Sequence, residues 1–543
     1  MAQAGSLTVA IRTPAAVLAG FAALGAIGIL VGGAFVGLVA EALRNPAGAL
    51  GAFDAYLFRI ARFTLWQAAL STLLSALPAI AVAHAINCCP DFPGRGLILR
   101  LFALPLALPA IVAALAWVAL LGRSGFLAPW LSALTGGEWQ GIYGVSGILL
   151  AHVFFNLPLA VRLFVQALDN VPSDQWRLAS QLGMKAGSSF RLIEWPAIRS
   201  ALPGVAGLVF MLCVTSFTIV LTLGGGPRAS TIEVAIYQAL RFDFDPSRAV
   251  ALTLVQVILT LMALSMLAKL GADTVVESAI ALARRRFFTQ SKAETLLNGC
   301  VIAIAALFVV APFIAIVASG LEANLSAIVA SASIQQAAVT SLVLSFLAAA
   351  LAVVLAWAVI AARWTSSRRL QRSGWLEFLF DRGASLVLVV PPIVIGSGWF
   401  MLLRTSTDVL ALAPLMVVTV NAVMAMPFAM RAIRPAYDAA AGRHDRIASQ
   451  LGISGWNRLR LIDWPSLRRS VATAFVFAMA LSMGDLGVIA LFGSDAVQTL
   501  PYVLLARMGS YRTADAAGIA LILAMVCLGL TVLSDLLGRG GAE

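Results

Sequence analysis

The sequence predicts an all-α integral membrane protein, with about twelve transmembrane helices arranged as two parallel six-helix repeats. Three observations carry that expectation. The 543 residues are 61% hydrophobic and only 11% charged, with mean hydropathy +0.95. A soluble domain is roughly 45–50% apolar and about 25% charged. The apolar residues fall in long blocks, and one segment of the chain is written twice at a fixed offset of 269 residues. Disorder and collagen are excluded by the high apolar content and the aperiodic glycines.

The blocks lie near 15–40, 63–86, 101–121, 143–161, 200–223, 249–268, 297–319, 335–361, 384–403, 409–430, 471–492 and 516–534. Residues 15–40, 297–319 and 516–533 contain no charge. About 20 apolar residues cross a hydrocarbon core of about 30 Å, so each block reads as a helix. A membrane barrel would show short alternating segments instead. The first block is longer than the usual secretory h-region of about 7–15 residues, and only Arg12 precedes it, so it reads as a retained helix.

The net charge of +12 follows from topology. With these spans, 27 Lys and Arg fall on the side of the two termini and the even-numbered loops, and 10 on the other. That bias makes the first side cytoplasmic, placing the N- and C-termini there. No nucleic-acid partner is implied; membrane lipid is. The five cysteines, Cys88, Cys89, Cys213, Cys300 and Cys527, form no C-x-x-C pair and lie in or beside apolar blocks. They read as small packing residues, with no disulfide scaffold and no metal cluster.

LASQLG at 178–183 meets IASQLG at 447–452, and RLIEWP at 191–196 meets RLIDWP at 460–465, without a gap. At the same offset Pro158 meets Pro427, Arg162 meets Arg431 and Asp169 meets Asp438. Pro109 and Trp117 are spaced as Pro391 and Trp399 are, and LPAIV near 108–112 resembles VPPIV near 390–394. The expected units are 1–275 and 276–543, joined through the basic stretch 269–296 with Arg284, Arg285 and Arg286. An even number of spans separates the repeated loops, so both lie on the cytoplasmic side.

Each repeated loop carries helical patterning. Ser173 is expected to cap a short helix running through Leu182, and Gly183 to stop it. A second stretch runs from Ser188 to Trp195, and Pro196 begins the return to the membrane. Gly452, Asn457 to Trp464 and Pro465 stand in matching places. Two short helices around a Gly turn make a rigid knob on which a soluble partner can push.

The spacing Ala179-x-x-x-Gly183, then Ile193 and Trp195-Pro196, resembles the EAA motif of permease subunits of ABC importers. The second copy reads Ala448, Gly452, Ile462 and Trp464-Pro465. Arg177 and Arg446 replace the family's Glu, and Trp replaces its Leu before Pro. The strings FTLWQAALS (63–71), GILLAHVFFNLPLA (147–160), FMLC (210–213), LGGGPRASTIEVAIYQAL (223–240), LSMGDLGVIALFG (481–493) and TLPYVLLARMGSYR (499–512) are similar to the fused permease of thiamine ABC importers. The resemblance covers roughly 60–530. It implies a type I importer bundle carrying thiamine and its phosphates, two copies of an ABC ATPase subunit, and a periplasmic thiamine-binding protein. The loops Arg177, Ala179, Ser180, Gln181, Leu182, Gly183, Ile193 and Pro196, and Arg446, Ala448, Ser449, Gln450, Leu451, Gly452, Ile462 and Pro465, would then dock on the ATPase. ATP and Mg would be used there, with no cofactor bound by this chain. In agreement, the sequence holds no G-x-x-x-x-G-K-[ST] loop, and Gly224-Gly225-Gly226-Pro227 is not followed by Lys-Ser/Thr.

Asp485 is the one acid deep within an expected span. Such a group costs about 2.5–3.5 kcal/mol against lipid. It therefore faces the path of a cationic thiazolium, or bonds the backbone of a helix loosened at Gly484-Asp485-Leu486-Gly487. Thr215, Ser216 and Thr218 stand at the equivalent place in the first half, polar but uncharged. Asn156 is expected to bond a carbonyl freed beside Pro158. His84 and His152, without metal-ligand spacing, read as hydrogen-bonded bundle residues. Trp66, Trp117, Trp195, Trp399 and Trp464 read as aromatic belts. No catalytic residue or metal ligand stands out. The alternatives are a related permease for ferric iron or another small solute, and an ion-coupled secondary transporter.

Overall fold

A computed structural model of the chain describes residues 15–89, 92, 94–269, 291–369, 374–385, 387, 390–404, 409–453, 455–510 and 512–539. Among them the regular structure is helical, apart from one isolated bridge between Ser494 and Val497. Arg12, the linker residues Arg284 to Arg286 and the expected unit boundary at 275/276 lie outside the described residues.

The uncharged first block forms α1 (Ala15–Arg44). Asn45 caps α2 (Pro46–Gly51), accepting from the Gly48 N–H at 3.0 Å, and Asp54 caps α3 (Ala55–Cys88), accepting from Leu57 N–H at 2.9 Å. α4 (Arg95–Leu101) and α5 (Leu104–Ala107) then meet α6 (Ala110–Leu121) at a bend of 107°. Leu108 and Pro109 are extended there, since the residue before proline is pushed out of the α region. The first half continues through α7 (Ala128–Thr135), α8 (Val145–Asp169), α9 (Ser173–Gln181) and α10 (Ala186–Ser189). It ends with α11 (Trp195–Val214), α12 (Thr218–Leu223), α13 (Ile232–Arg241) and α14 (Pro246–Lys269).

The second half runs in the same order. A capping box of Ser291 and Glu294 opens α15 (Lys292–Glu322), and Asn324 caps α16 (Leu325–Ala330) as Asn45 caps α2. There follow α17 (Ala332–Arg369), α18 (Gly374–Ser385), α19 (Pro392–Leu403), α20 (Ala413–Gln450) and α21 (Gly455–Arg458). The half closes with α22 (Trp464–Met483), α23 (Gly487–Phe492), α24 (Leu500–Gly509) and α25 (Thr513–Arg539). Among the described residues α5 and α7 have no counterpart, and the place of α9 is taken by the end of the unbroken α20.

Nine helices among the described residues are long and apolar enough to cross a membrane, ten if the bent α4–α6 pair counts as one. About twelve were expected; the blocks at 101–121, 384–403 and 471–492 are those whose helices fall short of that length and composition. The block at 384–403 yields a helix of only 12 residues, α19. The blocks at 200–223 and 471–492 are not continuous, because α11 stops at Val214 and α22 at Met483, and short helices restart at Thr218 and Gly487. Pro109 and Pro391 start helices, whereas Pro158 and Pro427 lie inside α8 and α20.

Each half has the same three-helix heart, α3–α8–α11 and α17–α20–α22. The halves are interlocked at their edges. α1 packs on α17 and α19 of the second half, while α15 packs on α3 and α6 of the first. α13 reaches α19 and α23, and Arg241 donates from Nη2 to the Gly493 carbonyl at 3.1 Å. The α1–α19 crossing depends on small residues, as membrane helix contacts do. A Cβ on Gly37 would stand 2.0 Å from the Gly398 carbonyl oxygen, and one on Gly398 would stand 2.2 Å from that of Ala34. The Trp399 indole seals the crossing by donating to the Leu30 carbonyl at 2.7 Å. Trp117 is likewise no belt residue, being buried with its ring against Phe154 and Phe308.

Gly37→Leu or Gly398→Leu is expected to cost about 1–3 kcal/mol by overpacking. Gly28, exposed on α1 with nothing within 4 Å of a Cβ, should accept Leu freely. Thermal unfolding of the detergent-solubilised chain checks the contrast; equal midpoints for Gly28→Leu and Gly37→Leu would refute the crossing.

Candidate functional site

The repeated loops stand at one end of the two three-helix hearts. In the first, α9 ends at Gly183, whose φ of +64° is the left-handed conformation that glycine adopts without strain. The Met184 N–H returns to the Ala179 carbonyl at 3.0 Å, and the Gly183 N–H to Ser180 at 3.0 Å, closing a Schellman turn. Gly452, at φ +65°, does the same work, with Ile453 N–H reaching the Ala448 carbonyl at 2.9 Å. The Ala-x-x-x-Gly spacing therefore sets the alanine carbonyl opposite the N–H of the residue that follows the glycine. The alanine has a second task, since Ala179 is buried with Trp176 and Ile193 in a small core of the loop. Ser173 does not cap α9, because Pro172 holds the cap position and Ser173 is the first helical residue.

Beyond the Gly turn each chain enters its next long helix through a π turn, Phe190–Glu194 and Leu459–Asp463. The cause is Trp-Pro. A proline inside an α-helix has no N–H to give and its ring collides with the carbonyl four residues back. Widening the turn by one residue relieves the collision, and Trp195 N–H bonds the Phe190 carbonyl and Trp464 N–H that of Leu459, five residues back. The loop and the following helix are thus one continuous piece, rather than the separate stretch ending at Trp195 that the sequence suggests.

Arg177 is exposed and lies 3.8 Å from Asp174. Gln181, Leu182, Gly183, Pro196, Arg446, Gln450, Leu451, Gly452 and Pro465 are exposed, Ser180 and Ile462 half-buried, and Ala179, Ile193 and Ala448 buried. Ser449 lies in α20, and its side chain is outside the described part. Composition-based reading missed the partners of Leu182 and Leu451. Leu178, Leu182 and Leu192 are exposed at 57%, 68% and 59%, and Ile447, Leu451 and Leu461, at the same offset, at 56%, 68% and 62%. The signal was available as apolar residues four apart in a charged loop, preserved in both copies.

Behind the loops stand buried charges. Glu194 has its carboxylate 2.5 Å from His84 Nδ1. Its counterpart Asp463 is 3.4 Å from Arg458, which also pairs with Asp445 at 2.5 Å. Burial pushes the Asp463 carboxyl above the usual range, against the pull of Arg458. Asp169 and Asp438 both take an arginine, Arg95 at 3.4 Å and Arg363 at 2.5 Å.

The other candidate residues gather at the helix breaks. After Val214 the chain leaves helical geometry at Thr215, Ser216 and Phe217. Gln67 Nε2 donates to the freed Cys213 carbonyl at 2.9 Å and Gln256 Nε2 to that of Val214 at 3.5 Å. His152 is held between Ser71 Oγ, 2.9 Å from Nδ1, and Ser216 Oγ, 2.8 Å from Nε2. The expected bundle histidine thus ties α3 and α8 to the break. Thr215 Oγ1 donates to the Met211 carbonyl at 2.9 Å, and the Thr218 carbonyl receives Thr222 Oγ1 at 2.8 Å. Asn156 does not bond a carbonyl as anticipated: its Nδ2 lies 3.3 Å from Cys213 Sγ, which occupies the neighbouring helix at that height.

Asp485 stands at the equivalent break, at the position of Ser216. Its carboxylate takes the backbone N–H groups of Gly487 and Val488, capping α23. Its Oδ2 is shut from solvent without a hydrogen-bond partner among the described residues. Gly484 is fitted against Pro109 of the other half, 2.9 Å from where a Cβ would sit to the Pro109 Cγ. The second break and the bend before α6 therefore meet where the halves touch.

Two like halves of apolar helices, each with a broken helix inside and an exposed apolar loop at one end, form the architecture of a membrane permease. The chain belongs to the family of binding-protein-dependent transport system inner membrane components, whose pattern matches residues 90–276 and again 354–540. It is a multi-pass inner-membrane protein. It is 57% identical over 519 residues to the thiamine transport system permease protein ThiP of Brucella abortus, covering 95% of this chain and 94% of that one. It is 41% identical to the protein of the same name from Escherichia coli, over 90% of each chain. A sulfate transport system permease protein CysW of Synechococcus elongatus is 33% identical over 26% of this chain and 49% of its own.

Gly183→Val and Gly452→Val are expected to cost about 1–2 kcal/mol each through backbone strain alone, since no atom lies within 4 Å of the added Cβ. Limited proteolysis should cut the loops faster while the global unfolding midpoint stays put; unchanged cleavage would count against the Schellman geometry. His152→Leu strips Ser71 and Ser216 of their partner and should lower the midpoint by about 1–3 kcal/mol equivalent.

Proposed function

We propose that this chain is the translocation unit of an importer for thiamine and its phosphates. Two copies of an ABC ATPase subunit dock on the two loops and hydrolyse ATP with the help of Mg, and a periplasmic thiamine-binding protein delivers substrate at the opposite face. The near full-length similarity to thiamine permeases carries the substrate assignment. The matched apolar triplets support the docking of two identical subunits, since such exposed side chains outside lipid are what a partner buries. The basic side of the chain, with both termini, is the ATPase side.

The mechanical reading follows from the continuity of loop and helix. When the ATPase subunits approach each other, each loop moves with the helix beyond its π turn, and α11 and α22 pivot at their breaks. The breaks then gate the path. Asp485 stands at that gate, and the buried, unpartnered Oδ2 supports its facing a cation in transit. The first half offers only the neutral Ser216 at that position, so the charge is one-sided.

Deleting the gene should abolish uptake of radiolabelled thiamine, with unlabelled thiamine phosphates competing. Unchanged uptake would sink the substrate assignment and turn attention to ferric iron or another small solute. Leu182→Glu combined with Leu451→Glu should release the ATPase on purification while the permease remains folded; retained ATPase would refute the docking face. Asp485→Asn keeps an oxygen to cap α23 but removes the charge. Uptake should fall about tenfold, equivalent to about 1.4 kcal/mol, with an unchanged unfolding midpoint. Wild-type uptake by that variant would leave Asp485 as a helix cap alone.

A further inference from the structure

We propose that His84, Cys88 and Glu194 form a site for one borderline-soft divalent ion of the zinc class at the root of the first coupling loop. His84 and Cys88 occupy the last turn of α3, four residues apart and so on one face. Glu194 arrives from the end of the first π turn. Its carboxylate lies 2.5 Å from His84 Nδ1, and Cys88 Sγ lies 3.5 Å from His84 Nε2. One ligand atom from each residue lies within 4.8 Å of the others. Tetrahedral zinc with bonds of about 2.0–2.3 Å spaces its ligand atoms about 3.3–3.7 Å apart, so small rotations of three side chains complete the set.

The donor chemistry selects the ion. Imidazole, thiolate and carboxylate together suit zinc, cobalt or cadmium, whereas magnesium and calcium take oxygen sets. Glu194 and Cys88 are buried, while 27% of the His84 side chain is open, which leaves an entry. Three protein ligands leave the fourth tetrahedral corner to water. The second half has no such site among the described residues, because Asp463 there already faces the Arg458 cation. An ion at this place bonds α3 to the segment that carries the loop and fastens the π turn between them.

Cobalt substitution tests the site on the full chain, purified in detergent, reduced and stripped of metal. Titration should raise a near-ultraviolet thiolate-to-cobalt band that saturates at one ion per chain and is displaced by zinc. Cys88→Ser should abolish the band, the neighbouring Cys89→Ser should keep it, and Glu194→Gln should weaken binding about tenfold or more. Absence of the band in the unaltered chain would overturn the proposal, leaving a hydrogen-bonded His–Glu pair. A band that survives Cys88→Ser would overturn it too, by placing the thiolate elsewhere. The titration of the unaltered chain decides even if a variant fails to fold.

Discussion

Backbone amides inside a hydrocarbon layer have no water to turn to, and every interruption of a helix must be satisfied from within the protein. That constraint organises this molecule. Two of its long helices stop in mid-course, at Val214 and Met483, and restart after three residues. At the first stop the loose carbonyls of Cys213 and Val214 are received by Gln67 and Gln256, which are themselves buried. His152 fixes Ser216 to Ser71 on α3. At the second stop Asp485 caps the restarting helix, and Asn421, at the offset of His152, donates to Ser482 Oγ at 3.0 Å. Buried polar side chains thus serve the places where these two helices end. A permease needs such ends, because an unbroken rod through the bilayer has no place to pivot.

The same constraint explains what the sequence revealed and what it concealed. Hydropathy blocks located the span centres, and the 269-residue offset exposed the duplication, because both properties are local or self-referential. Averaging over a window hides a break, so 200–223 and 471–492 read as single spans although Thr215 and Gly484 interrupt them. The Ala-x-x-x-Gly signature was visible, and its meaning as a Schellman hydrogen bond plus a buried methyl required coordinates. Long-range partners were not legible. Nothing in the spacing says that α1 lies on the second half, or that Trp117 is buried beside Phe308. The meeting of His84 with Glu194 joins residues whose separation matches no ligand motif.

The two halves share an exposed apolar loop and differ in how it is carried, and the difference is traceable to one residue. Pro172 follows Asn170 and Val171, and the residue before a proline is pushed from the α region, so α8 ends and α9 begins anew. At the same offset Ala441 permits α20 to run unbroken from Ala413 to Gln450. The second loop is therefore the tip of a long lever. It is braced by Arg458 against Asp445, whose Oδ2 also takes Trp364 Nε1 of α17 at 2.7 Å. The first loop hangs on a joint, and a joint transmits force only if its far side is held. The Glu194–His84 contact supplies that hold by tying the π turn to the end of α3. The same exposed apolar triplet thus stands on two different supports. The charge at the helix breaks is one-sided too, since Asp485 stands where the first half has Ser216.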